Sequence, residues 1–244
     1  MIRYVRKGIR TFWATITLLS LELLAVVAIF FIAFFAFVKI ARMVFLTKNS
    51  RFDTKAFDFL GDYVNEVNTN IMQGFSFLGT HYFLIPANLL LIAYFILKKH
   101  RWYSIKFPVI ALGSLLLMFL LKTVFGRPRP LVPLLDEARG LSFPSGHAMM
   151  SFSFYGLLII MIYNSTLSLP IKSLLIAMLA TCIVFIGVSR VYLRVHYASD
   201  VLAGFTLGLM WLILSVFILD KIETISKKKI VVADEPGPGL AQKV

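Results

Sequence analysis

The sequence lacks the polar and charged residues that a water-soluble domain needs. Only 15% of its 244 residues are charged, whereas 59% are hydrophobic, and the mean hydropathy is +0.84. A soluble core does not absorb that share of apolar side chains. The scarcity of charge therefore excludes a soluble globular domain and predicts a membrane protein.

Acidic residues and cysteine are also scarce. Twelve Asp and Glu stand against 25 Lys and Arg, which gives a formal net charge of +13. This surplus predicts contact with anionic lipid head groups, with an anionic substrate, or with both. The single cysteine, Cys182, lies in an apolar run, so it excludes an intramolecular disulfide and gives no support to a cysteine-based metal site.

Long stretches without charged residues indicate the membrane spans. A helix needs roughly 20 mostly apolar residues to cross about 30 Å of hydrocarbon. Several stretches are slightly short, but uncharged neighbours or Lys and Arg side chains that reach the interface extend them. We therefore predict an all-α, polytopic membrane helix bundle with six transmembrane helices in residues 1–220. The predicted spans are 11–38, 82–97, 107–121, 148–163, 173–188 and 201–219.

The positive residues predict the orientation of the bundle. The basic N-terminal segment 3–10 precedes an apolar run far longer than a signal-peptide core, which favours an uncleaved anchor over a cleaved signal. Six spans put both termini on one side, and 14 of the 25 Lys and Arg lie on that side. By the positive-inside rule, we expect an inner (cytoplasmic) membrane protein with cytoplasmic termini. The other loops then face the periplasm or extracytoplasmic side.

Three features are not explained by the six predicted spans. Residues 53–73 have apolar residues at helical spacing, which predicts an amphipathic helix along the outer interface, acting as a lid, a packing element or a substrate contact. Residues 221–244 lack periodicity and predict a disordered cytoplasmic tail. Glu22 is an acid within the first span, and we interpret it as structural.

Polar side chains concentrate in the two loops between spans three and four and between spans five and six. Both loops open on the same face, so the topology brings them together. Ser145 and Gly146 precede span four, where free N–H groups form an anion site. Arg129 lies between two prolines in an extended segment and offers a fork for phosphate oxygens, to which Lys122 and Arg190 add further positive charge.

The same loops contain candidates for nucleophilic catalysis. His196 and Asp200 are spaced i, i+4, so the carboxylate can hold one imidazole nitrogen and leave the other free as a nucleophile or base. His147 adds a proton donor. Cations, N–H donors, a nucleophile and a proton donor are the groups that phosphoryl transfer requires. A zinc site formed by His147, His196 and Asp200 is the alternative, although three nearby cations would repel a metal.

Three patterns resemble those of the type 2 phosphatidic acid phosphatase superfamily. K-x6-R-P occurs at 122–130, P-S-G-H at 144–147 and S-R-x5-H-x3-D at 189–200. The resemblance covers about residues 53–220 and is to the bacterial membrane branch. It implies that His196 attacks phosphorus to form a phosphohistidine, that Asp200 orients His196, and that His147 protonates the leaving oxygen.

The resemblance also implies an anion site and the absence of any cofactor or metal. Water would resolve the intermediate. Arg127 lies at a variable position of the first pattern, so it receives no role from the resemblance, although it is placed to meet a second phosphate. The implied phosphate-binding residues are Lys122, Arg129, Ser145, Gly146 and Arg190.

These observations predict an integral-membrane phosphatase with a lipid phosphate or diphosphate as substrate and no nucleic-acid partner. The candidate substrates are undecaprenyl diphosphate, phosphatidic acid, phosphatidylglycerophosphate and a lipid A phosphate. A phosphotransferase that passes the phosphoryl group to an alcohol uses the same residues. A non-enzymatic lipid carrier on this scaffold is the hypothesis from another class. The sequence does not predict the oligomeric state.

Overall fold

Helices form nearly all of the chain that the structure describes. The computed structural model describes the backbone of residues 2–134 and 140–234, and the side chains of residues 21, 23–134 and 140–227. Two of the predictions above concern side chains outside these ranges. They are the structural role of Glu22 and the part of the disordered tail that covers residues 235–244. The helices are α1 (Ile2–Ala41), α2 (Arg51–Gly61), α3 (Glu66–Leu78), α4 (His81–Leu97), α5 (Arg101–Phe125), α6 (Gly146–Tyr163), α7 (Leu169–Tyr192) and α8 (Ala198–Asp234), with a short π-helix (Arg42–Leu46) after α1.

Five helical segments of the described chain are long and apolar enough to cross a membrane, and a bent pair brings the number to six if it is counted as one span. The single segments belong to α1 with the π-helix, α5, α6, α7 and α8. The pair is α3 and α4, which meet at 44° across a short break. The predicted all-α membrane bundle is therefore confirmed, and the predicted second span, 82–97, corresponds to α4, which forms a bent pair with α3.

The single amphipathic helix predicted over residues 53–73 is wrong in its extent. The structure divides this stretch into α2 and α3, with a break at 62–65. Asn65 has extended backbone angles, and its side chain accepts a hydrogen bond from the Asn68 N–H at 2.9 Å. This capping starts a new helix, because the side chain replaces the partner that the first turn of a helix lacks. Only α2 remains a separate amphipathic helix.

Helix α6 lies at the centre of the bundle and packs against α5, α7 and α8. Helix α1 lies along α8, α3 along α7 and α4 along α5. The α6–α8 contact is close because Gly204 has no side chain: a Cβ there would lie 2.6 Å from the Ser145 carbonyl oxygen. This approach brings the start of α8 against the start of α6, where the candidate residues of both loops lie.

Helix α8 continues beyond the predicted domain boundary at residue 220 to Asp234. The disordered tail predicted from residue 221 is therefore not what the structure has over 221–234. Lys106 on α5 forms ion pairs with Asp220 at 2.6 Å and with Glu223 at 3.2 Å. Glu223 also pairs with Lys227 one turn later at 2.6 Å. Such i, i+4 pairs and the contact with α5 stabilise a helical extension that lacks apolar periodicity.

Candidate active site

His196 and Asp200 lie where α7 is joined to α8, and both are almost completely buried. His196 Nδ1 is 3.6 Å from Asp200 Oδ2, which is too long for a hydrogen bond. The Ser142 hydroxyl lies between them: its Oγ is 3.2 Å from Nδ1 and donates a hydrogen bond of 2.5 Å to Oδ2. The i, i+4 spacing thus brings the two side chains together as predicted, but a serine hydroxyl joins them in place of a direct hydrogen bond.

A second set of contacts fixes the other oxygen of Asp200. Its Oδ1 accepts a hydrogen bond from Arg127 Nη1 at 2.6 Å, and Arg127 Nη2 donates to Asp53 of α2 at 2.9 Å. Asp53 also accepts hydrogen bonds from the N–H and the hydroxyl of Ser199, each at 2.8 Å. The Arg127 guanidinium lies over the Tyr197 ring, 3.9 Å from its centroid. Arg127 is therefore held by two carboxylates and does not face a second phosphate.

Arg129 lies beside the free face of His196. Its Nε donates to the Gly140 carbonyl at 3.1 Å, and its Nη1 donates to the Val195 carbonyl at 2.8 Å. The same Nη1 is 3.4 Å from His196 Nε2. Both hydrogen-bond acceptors are neutral carbonyls, so the guanidinium is oriented without its charge being cancelled.

Two further cations contact neutral groups. Lys122 Nζ donates to the Leu141 carbonyl, and Arg190 Nη1 donates to the Ser76 hydroxyl of α3. Arg190 Nε is buried, and no residue that the structure describes forms a hydrogen bond with it. Within the described residues, no carboxylate lies within ion-pair distance of Lys122, Arg129 or Arg190. Because an isolated buried charge is costly, three uncompensated cations in one place indicate an anion site.

The start of α6 supplies N–H donors and the second histidine. Ser145 is the N-cap of α6, and its hydroxyl accepts a long hydrogen bond of 3.5 Å from the Ala148 N–H. The Ser145 N–H donates to the Asp200 carbonyl at 3.0 Å, which ties the two loops together. Gly146 opens the helix, and the Nε2 atom of His147 is buried with no hydrogen-bond partner in the described part of the chain.

The bend between α3 and α4 also contacts this histidine. A Cβ added to Gly79, at the bend, would lie 3.2 Å from His147 Cδ2 and 2.7 Å from Ile186 Cγ2. The preceding residue, Leu78, accepts a hydrogen bond from the Tyr155 hydroxyl of α6 at 3.0 Å. The bent pair therefore packs directly against the imidazole, and only glycine leaves enough room for it.

Four phenylalanines hold the loop that carries Ser142. Phe143 is fully buried, and its ring centroid lies 6.0 Å from that of Phe37, 5.1 Å from that of Phe45 and 4.9 Å from that of Phe125. These rings come from α1, the π-helix and α5. Edge-to-face and tilted pairs at such distances stabilise the packing beyond their buried area. The cluster fixes the segment on which Ser142 and Ser145 lie.

Burial sets the charge state of the nucleophile candidate. It lowers the pKa of His196 from 6.5 to about 3, partly offset by Asp200 and reinforced by the positive charge of Arg129. The imidazole is therefore neutral at physiological pH. Burial also lowers the pKa of Arg129, but a guanidinium is not deprotonated in proteins, so the positive charge stays. A neutral imidazole next to a charged guanidinium is suited to attack on a phosphate.

The structure brings all eight predicted site residues to one end of the bundle. The sequence patterns missed the residues that support them. Arg127 lies inside the first pattern, and Ser142 lies next to the second. Their closeness to the patterns was the only indication in the sequence that they belong to the site. Asp53, Ser76 and Gly79 lie far from every pattern, and nothing in their local sequence connects them to the site. Within the described residues, no three His, Cys, Asp or Glu side chains are arranged to hold a metal ion.

Comparisons with known proteins identify the family of this chain. The PAP2 superfamily matches residues 103–223, which include all three patterns. Phosphatidylglycerophosphatase B of Bacillus subtilis (strain 168) is 32% identical over 168 residues, which cover 68% of this chain and 80% of the relative.

Solved structures show the same fold. The crystal structure of a transmembrane PAP2-type phosphatidylglycerolphosphate phosphatase from Bacillus subtilis aligns with a TM-score of 0.70 at 27% identity, over 78% of this chain and 95% of that one. Aquifex aeolicus LpxE aligns with a TM-score of 0.55 at 27% identity, over 67% and 93% of the two chains. The chain is therefore a membrane phosphatase of the PAP2 superfamily, the family that its three patterns predicted.

Proposed function

We propose that this protein hydrolyses a lipid phosphate through a phosphohistidine intermediate on His196. The observation that supports it most is the surroundings of His196 Nε2. That atom belongs to a neutral, buried imidazole, and the nearest donor to it is an Arg129 nitrogen at 3.4 Å. A phosphoryl group placed there meets a nucleophile and a cation at once.

The proposed chemistry has two steps. His196 Nε2 attacks phosphorus while the bond from phosphorus to the lipid oxygen breaks, and His147 gives a proton to that departing oxygen. Water then attacks the phosphorus, the P–N bond breaks, and His147 takes the proton from the water. Asp200 orients His196. The phosphate-binding roles fall to Lys122, Arg129, Ser145, Gly146 and Arg190.

A lipid substrate is supported by an apolar cavity next to the site. About 330 Å³ of space lies between α4, α5 and α6, with almost entirely apolar walls. One lining residue is His81, at the start of α4, which follows the bend that packs against His147. A phosphate at the site and a hydrocarbon chain in this cavity suit one amphiphilic molecule.

Among lipid phosphates, we propose phosphatidylglycerophosphate as the first substrate to test. A relative with 32% identity is named phosphatidylglycerophosphatase B, and a solved structural neighbour carries the same activity in its name. We also propose that the protein lies in the cytoplasmic membrane with both termini inside, so that the site opens on the extracytoplasmic face. The distribution of Lys and Arg supports this orientation.

The proposal is tested with the purified full-length protein in detergent. Phosphatidylglycerophosphate, phosphatidic acid and undecaprenyl diphosphate are offered with a chelator present, and released phosphate is measured. An added alcohol, with product analysis, separates hydrolysis from phosphoryl transfer. The expected result is chelator-resistant phosphate release from at least one lipid. Activity that returns only with added zinc would contradict the mechanism.

His196→Ala tests the intermediate itself. We expect it to abolish both phosphate release and the acid-labile phosphoenzyme that rapid quenching traps. His100→Ala is the matched control, because His100 is an exposed histidine at the start of α5, remote from the site. Full turnover by His196→Ala would refute a phosphohistidine at this residue.

The orientation has its own test. Leu131 is 96% exposed in the loop that carries Arg129, and Lys99 lies in the short loop between α4 and α5. In intact cells, a membrane-impermeant maleimide should label Leu131→Cys and not Lys99→Cys, in a Cys182→Ser background. The reverse pattern would invert the topology.

A further inference from the structure

We propose that Ser142 is a positioning residue whose hydroxyl fixes His196 in the Nδ1-protonated tautomer and so leaves the Nε2 lone pair free for phosphorus. The catalytic consequence rests on the proposed function. The tautomer is a property of the resting protein and is tested separately.

Both carboxylate oxygens of Asp200 accept hydrogen bonds. Its Oδ1 accepts from Arg127, and its Oδ2 accepts from the Tyr197 N–H at 3.0 Å and lies 2.5 Å from Ser142 Oγ. An ionised carboxylate only accepts hydrogen bonds, and a serine hydroxyl has one proton to donate. At that separation the proton must lie between the two oxygens, because their lone pairs would otherwise repel each other.

The hydroxyl can then only accept a hydrogen bond from His196. Ser142 Oγ is 3.2 Å from Nδ1, so Nδ1 must carry the proton. The opposite nitrogen gives an independent indication. Nε2 faces an Arg129 guanidinium nitrogen at 3.4 Å, and guanidinium has no acceptor, so Nε2 must be unprotonated. Both sides of the ring therefore require the same tautomer.

The surroundings hold the Ser142 hydroxyl in this role. Its side chain is fully buried, and its backbone N–H donates to the Arg127 carbonyl at 2.8 Å. The next residue is Phe143, the centre of the phenylalanine cluster. Water has no access to replace the hydroxyl, and the backbone is fixed on both sides. Asp200 therefore acts on His196 through Ser142, a contact that none of the three sequence patterns specifies.

The first experiment observes the tautomer directly. The chain has only four histidines, so selective 15N-histidine labelling of the full-length protein in detergent micelles gives a simple spectrum. His196→Ala identifies the His196 resonances. We expect a protonated Nδ1 and an unprotonated Nε2 at pH 7. A proton on Nε2, or on both nitrogens, would overturn the inference even if the enzyme is fully active.

The second experiment measures the kinetic consequence. Ser142→Ala should slow phosphoenzyme formation by about 10- to 100-fold, as expected for the loss of a charge-assisted hydrogen bond that orients the nucleophile. KM should stay within about twofold, and an Nε2-protonated population should appear in the 15N spectrum. Ser153→Ala is the matched control, since this buried serine bonds only to the Met149 carbonyl of its own helix.

A double variant separates positioning from general damage. If Ser142 acts through Asp200, the pair Ser142→Ala with Asp200→Asn should be no slower than Asp200→Asn alone, within about twofold. If the rate losses of the two single variants multiply in the double variant, or if Ser142→Ala has wild-type kinetics, the role of Ser142 is overturned while the proposed function stays intact. A wild-type enzyme that releases no phosphate from any lipid would instead refute the proposed function, and the tautomer measurement would still decide the inference.

Discussion

Charged side chains concentrate at both ends of the helix bundle, but their pairing differs between the two ends. At the end away from the site, Lys106 is shared by Asp220 and Glu223, and Glu223 is shared with Lys227. At the site end, Arg127 is the one Lys or Arg that contacts carboxylates among the described residues, and its partners are Asp53 and Asp200. Lys122, Arg129 and Arg190 are directed by neutral carbonyl or hydroxyl groups.

This difference separates structural charges from functional ones. A cation that is paired with carboxylates contributes to stability, and its field is largely cancelled nearby. A buried cation held by neutral groups retains its field and gains a partner only when an anion arrives. By this criterion Arg127 belongs with the structural charges although it lies within the first sequence pattern.

The largest changes in activity and stability are expected from replacing one cation that neutral groups hold, Arg129, and one that is paired with carboxylates, Lys106. Arg129→Met should lower kcat/KM for lipid phosphate about 10²- to 10³-fold, the usual loss for a donor that stabilises developing charge. Its Tm should change little, because no carboxylate loses a partner. Lys106→Met should keep kcat/KM within about twofold but lower stability by about 2 kcal/mol, or about 4–8 °C in Tm. Phosphate release and thermal unfolding in detergent measure both.

The distinction between the two kinds of cation is wrong if Lys106→Met loses activity and Arg129→Met loses stability. A stable, inactive Lys106→Met would mean that charge pairing does not separate structural cations from functional ones in this bundle. An Arg129→Met protein that unfolds far below the wild type would assign Arg129 to the scaffold.

A smaller effect should come from the packing of the bend against His147. Gly79→Ala forces either Ile186 or the His147 ring to move, so we expect kcat to fall about tenfold. Gly74→Ala on the same bent span is the control, because no atom lies within 4 Å of its added Cβ. The control should keep its activity and gain about 0.5–1 kcal/mol from better helix propensity. Equal losses in the two variants would mean that helix α3 acts through its flexibility and not through contact.

The smallest effect is expected in the pH dependence. Because burial lowers the pKa of His196 to about 3, the nucleophile stays neutral as the pH falls through 6.5. Phosphoenzyme formation from p-nitrophenyl phosphate, whose leaving group needs no proton, should change by less than about 1.5-fold between pH 8 and pH 6. An ordinary imidazole would lose about fourfold over that range. A fourfold fall centred near pH 6.5 would show that His196 is more solvated than its burial indicates.

The sequence predicted the spans and the site residues more completely than the breaks, bends and contacts that hold them in place. The spans follow from apolar length alone, since every backbone group in a bilayer must be satisfied within a helix. The break at Asn65 and the bend at Gly79 were missed, because capping and close approach depend on what packs against them. The helical extension past residue 220 depends on Lys106, which lies more than a hundred positions earlier in the chain.

What the sequence determined by itself is the membrane fold and the family, and it predicted the eight site residues, because these depend on local composition and on fixed spacings. Only the tertiary structure decided how those residues act together. It placed Ser142 between His196 and Asp200, paired Arg127 with Asp53, and held three cations by neutral groups, with no carboxylate partner among the residues that the structure describes. Contacts between distant helices create these relations through hydrogen-bond geometry and burial, and spacing along one chain does not encode either.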